Sequence, residues 1–157
     1  MSASDSGLPR GDRLPPDLRA PPTGILRLPA RPPYLAPVGY LVRWFGTQAG
    51  LSHEQCDELE LAVDEACTNV IRYAFAEPAG GDMTLVFSPR DDGLEVTIQD
   101  RGRPFDPRQG QQIAEAKRSG DPASGGRGLL LIEQLTDAVG YRWDEEEGNR
   151  LTLVKHK

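Results

Sequence analysis

Apolar positions along the chain change period several times, and each change marks a candidate element. Residues 24–31, GILRLPAR, alternate in the manner of a short strand, with Pro29 near its end, a residue tolerated best at a sheet edge. The spacing then lengthens. Positions 38, 41, 42, 45 and 49 are apolar, Pro37 suits a first helical turn and Gly50 a C-terminal cap, which predicts a first helix. Cys56, Leu59, Val63, Ala66, Val70 and Ala74 continue at three- and four-residue steps behind the capping-box pair Ser52 and Gln55, predicting a second helix over about 53–75. The period returns to two in MTLVFSP and LEVTIQD, which flank the turn sequence RDDG and predict a hairpin. GLLLIEQLTDAV predicts a third helix, and GYRW and RLTLVKH, joined by the acidic turn DEEEGN, a second hairpin.

Between Arg101 and Gly126 apolar residues are sparse while Gly, Pro, Arg and Asp are common, so a long loop is expected, with one helical turn near QQIAEAK. Loops of that length inside a compact domain often serve as lids. The order is strand, helix, helix, two strands, lid, helix, two strands. Short turns between strand pairs favour a mixed, mostly antiparallel sheet, and three apolar-faced helices need one side of it, giving a two-layer α/β sandwich. Residues 1–22 carry five prolines and no periodicity and read as a flexible tail, leaving 23–157 as one folded domain.

Composition narrows the partners. The net charge is −6 with no basic block, which argues against nucleic acid or an anionic membrane surface. No apolar run approaches the ~20 residues that span a bilayer, and no signal-peptide layout is visible, so a soluble, cytoplasmic protein is expected. The two cysteines, Cys56 and Cys67, fall on one predicted helix about 16 Å apart, too far for a disulfide, and are expected to be small buried residues. With only His53 and His156 beside them, no zinc spacing appears.

Three stretches carry candidate chemistry. Asn69 sits inside the second helix, where Asn costs roughly half a kilocalorie per mole or more relative to Ala, so its amide either is solvated or has a ligand. Glu65 lies four residues earlier on the same face, beside the apolar stripe, although the helix is acidic anyway and the pair also suits a solvated edge. In VTIQDRGRPFDP a strand runs out into Asp100 and Gly102, an arrangement that suits recognition of a small polar ring and is also a common turn. SGGRGLLLI feeds a glycine-rich loop into a helix N-terminus, where backbone N–H groups and the helix dipole attract phosphate and Arg127 adds a bidentate donor. It matches neither a Walker A loop nor the dinucleotide fingerprint, and glycines also cap helices for structural reasons.

Together, in this order and on these elements, the three stretches resemble the ATP-binding boxes of the GHKL (Bergerat-fold) superfamily of gyrase, histidine kinases and related ATPases. DEACTNVIRYAF resembles the N box, DRGRPFDP the first glycine box and GGRGLLLIEQLTD the second. RLPARPPYLAPV near the start and GNRLTLVK at the end, with the small size, look most like the anti-sigma factor serine kinases of bacterial stress and sporulation switches, a likeness covering about 23–157. The resemblance implies that Asn69 ligates the Mg²⁺ bridging the phosphates of ATP and that Glu65 is the base for the attacking hydroxyl. It implies that Asp100 accepts from the adenine amino group, that Gly102 lets the ring approach, that Gly126, Arg127 and Gly128 hold phosphates, and that Thr152 stands near the base. Two positions depart from the family's pattern: Pro104 replaces the second glycine of the first glycine box, and Tyr73 stands where these kinases often carry histidine.

The leading expectation is a protein-serine/threonine kinase that phosphorylates an anti-anti-sigma (STAS-type) partner and also sequesters a sigma factor. In this family a homodimer is common, and an exposed face of the first helix is one candidate contact. A second reading is a docking module that binds ATP to order its lid without phosphotransfer. A third is an unrelated α/β domain indifferent to nucleotide.

Overall fold

The computed structural model describes residues 23–76, 80–104 and 127–157, with backbone alone at 127–129. Strand β1 (Gly24–Pro29) leads through a 3₁₀ turn at Pro32–Tyr34 into α1 (Leu35–Gln48) and α2 (His53–Asn69). A π turn (Val70–Ala74) follows, then β2 (Asp82–Arg90), β3 (Gly93–Asp100), α3 (Arg127–Leu135), β4 (Ala138–Asp144) and β5 (Gly148–His156). The strands form one sheet in the order β1-β2-β3-β5-β4, antiparallel at every pairing. Pro29 lies on edge strand β1, where its missing N–H costs no ladder bond.

The two periods explain the layers. On the inner face of the sheet Leu28, Met83, Leu85, Phe87, Leu94, Val96, Ile98 and Leu153 are buried. Against them pack Val38, Val42 and Phe45 of α1, Leu59, Ala62, Val63 and Ala66 of α2, and Ile132 of α3. Phe45 stacks on Phe87 with ring centroids 4.8 Å apart. Each of these larger side chains contributes about 1.5–3 kcal/mol on leaving water, which makes this seam the main source of stability. This is the two-layer α/β sandwich expected from the pattern, with the helices on one face.

The helix ends follow their predicted chemistry. Gly50, at φ +87°, ends α1 in a conformation that costs glycine no Cβ clash, and Leu51 N–H donates back to the Gly46 carbonyl at 3.0 Å. Ser52 Oγ accepts from Gln55 N–H at 3.2 Å while Gln55 Oε1 accepts from Ser52 N–H at 2.9 Å, closing the capping box. The same Gln55 donates through Nε2 to the His156 carbonyl at 2.8 Å, tying the start of α2 to the end of β5.

Two boundaries differ from the pattern. The second helix stops being α-helical at Asn69, and the remaining turn to Ala74 is wound as a π turn. One carbonyl left over at that end, Ala74 O, accepts from Arg103 N–H at 2.7 Å. The third helix ends at Leu135, short of the predicted Val139. Thr136 Oγ1 donates back to the Ile132 carbonyl at 2.7 Å, and Asp137 N–H donates to the Val154 carbonyl at 2.8 Å, drawing the chain into β4 from Ala138. The helical turn expected near QQIAEAK lies outside the described residues. Cys56 and Cys67 are free and buried, and burial pushes the Cys67 thiol up to about 12. Among the described residues no helix is long and apolar enough to cross a membrane. Tyr40 and Trp44, one turn apart on α1, are exposed.

Candidate nucleotide-binding site

The inner row of the sheet turns polar at one end. β3 and β5 pair as Val96 with Leu153, Ile98 with Leu151, and then Asp100 with Asn149. Alternation keeps all six on the helix side, so the last pair faces into the fold under the C-terminal end of α2. Asp100 and Asn149 are 6% and 5% exposed, which for polar side chains demands partners. Around them lies a small cleft with apolar walls from Ala66, Val70, Ala74, Ile98 and Leu151 and polar groups from Asn69, Asp100, Tyr141 and Asn149. Its volume of about 30 Å³ holds roughly a water or two.

Asp100 is held by two donors on one oxygen. Oδ1 accepts from Gly102 N–H at 2.8 Å and from Asn149 Nδ2 at 2.9 Å. Desolvation pushes its carboxyl above the ordinary carboxylate range, and the bonds from Asn149 and Gly102 oppose that rise. An ionised carboxylate has lone pairs for about four donors, so Oδ2 keeps acceptor capacity toward the cleft. Apolar walls with one buried acceptor suit a flat heteroaromatic ring carrying an amino group.

Gly102 has a structural reason of its own. A Cβ there would overlap the carbonyl and side chain of Ala74, so glycine lets the chain after β3 pack on the π turn. The neighbouring Arg103 N–H bond to Ala74 O locks the same contact. The strand end carrying Asp100 is thereby fixed to the helix end carrying Asn69.

The other expected residues fall in three groups. Asn69 is the last residue of α2, is half-buried and lines the cleft. Glu65 is half-buried one turn earlier on the same helix. Among the described residues neither side chain makes a hydrogen bond or ion pair, so both are available to a ligand. Arg127 and Gly128 open α3, their side-chain surroundings outside the described residues, and Gly126 lies outside altogether. Thr152 is not brought to the cleft. It points to the opposite face of the sheet from Leu151 and Leu153, with its hydroxyl 3.3 Å from that of Thr97. The residue of β5 that reaches Asp100 is Asn149, and Tyr141 of β4 stands beside it with its hydroxyl donating to Asn149 Oδ1 at 2.6 Å. Sequence reasoning passed over both. The sequence pattern starts the last strand at Arg150, two residues after its actual start at Gly148, and so places Asn149 in a turn; pairing the ends of the two predicted strands is the signal that finds it.

Known proteins resemble this chain over most of its length. The pattern of the histidine kinase-like ATPase domain family matches residues 28–155. "Serine-protein kinase RsbW" of Listeria innocua is 36% identical over 135 residues, 83% of this chain and 85% of that protein. The Bacillus subtilis protein of the same name is 30% identical over 135 residues, 83% of each. Among solved structures, the RsbU and RsbW domains of Rv1364c from Mycobacterium tuberculosis superpose with a TM-score of 0.61 at 18% identity, covering 86% of this chain and 32% of that one, a likeness of fold. The histidine kinase domain of the blue-light activated kinase EL346 from Erythrobacter litoralis gives 0.51 at 19% identity over 82% of this chain and 61% of its own. The chain therefore belongs to the histidine kinase-like ATPase domain family and, within it, to the group of the RsbW serine-protein kinases.

Proposed function

We propose that this chain is an ATP-dependent protein-serine/threonine kinase that phosphorylates a STAS-type anti-anti-sigma protein, and that it also sequesters a sigma factor. The observation that carries the reading is the cleft in which a buried acceptor, Asp100, and an uncommitted amide, Asn69, face one space between β3 and α2. In this reading Asp100 receives the adenine amino group and the apolar walls take the ring. Asn69 fits a magnesium ion, since its amide oxygen is a hard neutral ligand without another partner among the described residues, and Mg²⁺ is commonly held by one or two protein groups plus phosphates and water. Bound MgATP supplies the phosphoryl group and the counter-charge it needs. Glu65 orients the partner's hydroxyl and takes its proton, one helical turn from the metal ligand. Arg127 and Gly128 open α3, with Gly126 next before them in the sequence, and the backbone donors of a helix start together with a guanidinium suit phosphate oxygens.

Transfer adds about −2 charge to the partner's serine or threonine and so weakens the complex that made it, a switch needing no other change. The partners in this reading are the anti-anti-sigma protein, the sigma factor and a second copy of the chain, in the cytoplasm. The experiment is transfer from γ-labelled ATP to candidate STAS-type proteins. Label is expected on the partner, with Glu65→Ala lowering the rate by about 10²-fold or more while ATP binding persists. Partner binding that responds to ATP but yields no phosphoprotein, and is indifferent to Glu65→Ala, would instead identify a docking module.

A further inference from the structure

Asn149 makes more bonds than pairing the strands requires. Nδ2 donates at 2.9 Å to Asp100 Oδ1 and at 2.8 Å to the Arg103 carbonyl, and Oδ1 accepts from the Tyr141 hydroxyl at 2.6 Å. The amide cannot flip without setting its oxygen against two acceptors, so its donor face is committed to the carboxylate. Asp100 Oδ1 thus takes donors from both Asn149 and Gly102, and the carboxylate is held with Oδ2 as the atom left for a ring.

We infer that Asn149, oriented by Tyr141, is the positioning residue that sets the base selectivity of the cleft, holding Asp100 as a pure acceptor so that a 6-aminopurine is admitted and a 6-oxopurine refused. The inference rests on the nucleotide reading above. An ionised carboxylate accepts only, which pairs it with an amino group and sets it against a ring carbonyl. A protonated or rotated carboxyl presents an O–H and matches the carbonyl instead. Burial favours that neutral form, and the Asn149 donor opposes it. Removing the donor therefore lets Asp100 serve either base, and discrimination falls even where affinity for ATP persists. The Arg103 bond extends the effect, because the same amide fixes the chain just after Gly102, whose N–H is the carboxylate's other donor.

The test compares dissociation constants for ATP and inosine triphosphate, which differ at the 6-position and at N1 protonation, with Mg²⁺ at one pH, in the full chain, Asn149→Ala and Tyr141→Phe. Wild type is expected to favour ATP by tenfold or more, Asn149→Ala to erase about tenfold of that ratio, and Tyr141→Phe a few-fold, in line with the usual worth of a hydrogen bond to a charged group. A general loss of packing would weaken both nucleotides by the same factor; that outcome, or an unchanged ratio, overturns the inference. Should Asn149→Ala fail to fold, the Tyr141→Phe ratio decides alone, and no change in it overturns the inference equally. If wild type binds neither nucleotide, the nucleotide reading falls and takes this one with it; if wild type prefers ATP and every variant keeps the same ratio, only the role of Asn149 falls.

Discussion

The inner row shared by β3 and β5 is polar at both ends, and the ends differ in what they leave over. At one, Leu94 faces Lys155, whose Nζ donates to the Leu135 carbonyl at 3.0 Å and pairs with Glu58 at 2.6 Å. There a nearly buried cation joins Glu58 of α2 and the end of α3 to β5 and has its partners inside the protein. At the other, Asp100 faces Asn149, and the donors supplied by the protein converge on one carboxylate oxygen. Both ends incur the cost of taking charge out of water. The first recovers it as a structural clip, while the second leaves capacity for something that arrives later. Burial of a charge does not by itself mark a site; unspent bonding capacity beside apolar walls does.

Exchanging the two ends by mutation should separate their roles. Asp100→Asn is expected to reduce ATP affinity on the order of a hundredfold in calorimetric titration, since the acceptor for the ring is replaced by an amide. Its melting temperature should not fall, because Asn keeps an oxygen for Gly102 and Asn149 without a buried charge. A large drop in melting temperature would make Asp100 a clip as well. Lys155→Met should do the reverse, costing about 1–3 kcal/mol in urea unfolding, discounted because Glu58 is partly exposed, with ATP affinity of the folded protein unchanged. Ser52→Ala, at the clip end through Gln55 and His156, should cost about 1 kcal/mol by the same measurement and likewise leave nucleotide binding alone. The smallest effect concerns pH. Asp100 has its folded-state carboxyl raised above the ordinary 3.8, so the folded state retains that proton longer than the unfolded chain, and the associated stability is lost as pH rises from about 3.8 through the folded value. The stability of Asp100→Asn relative to wild type should therefore increase over that interval; a gap that is flat with pH would break the assignment of desolvation as the cause.

Much of this was legible beforehand because periodicity reports burial. The alternation of Met83, Leu85 and Phe87 and the three- and four-residue steps of Cys56, Leu59, Val63 and Ala66 each point at the core, and the capping box of Ser52 and Gln55 is local chemistry that needs no tertiary knowledge. Asp100 and Asn69 were visible as polar residues at the ends of apolar patterns. What periodicity does not carry is register between strands distant in sequence, and so the pattern leaves Asn149 in a turn, while Thr152, a weaker candidate implied by the resemblance, lies on the far face. The end of α3 was missed for a related reason: Asp137 joins β5 through backbone and side-chain bonds, including acceptance from His156 N–H at 2.7 Å, and that pairing outcompetes a sequence otherwise able to continue as helix.

The β4–β5 hairpin contributes Tyr141 and Asn149, whereas Asp100 comes from the β2–β3 hairpin and Asn69 from α2. On the proposed reading, the group that grips a base and the groups that decide which base is gripped are thus inherited on separate stretches of chain. Grafting a different final hairpin onto the same body would retune nucleotide choice while leaving the gripping carboxylate and the helix beside it untouched, provided the graft keeps an odd-numbered inward position opposite Asp100; a slip of one residue would turn the selecting side chain out to solvent.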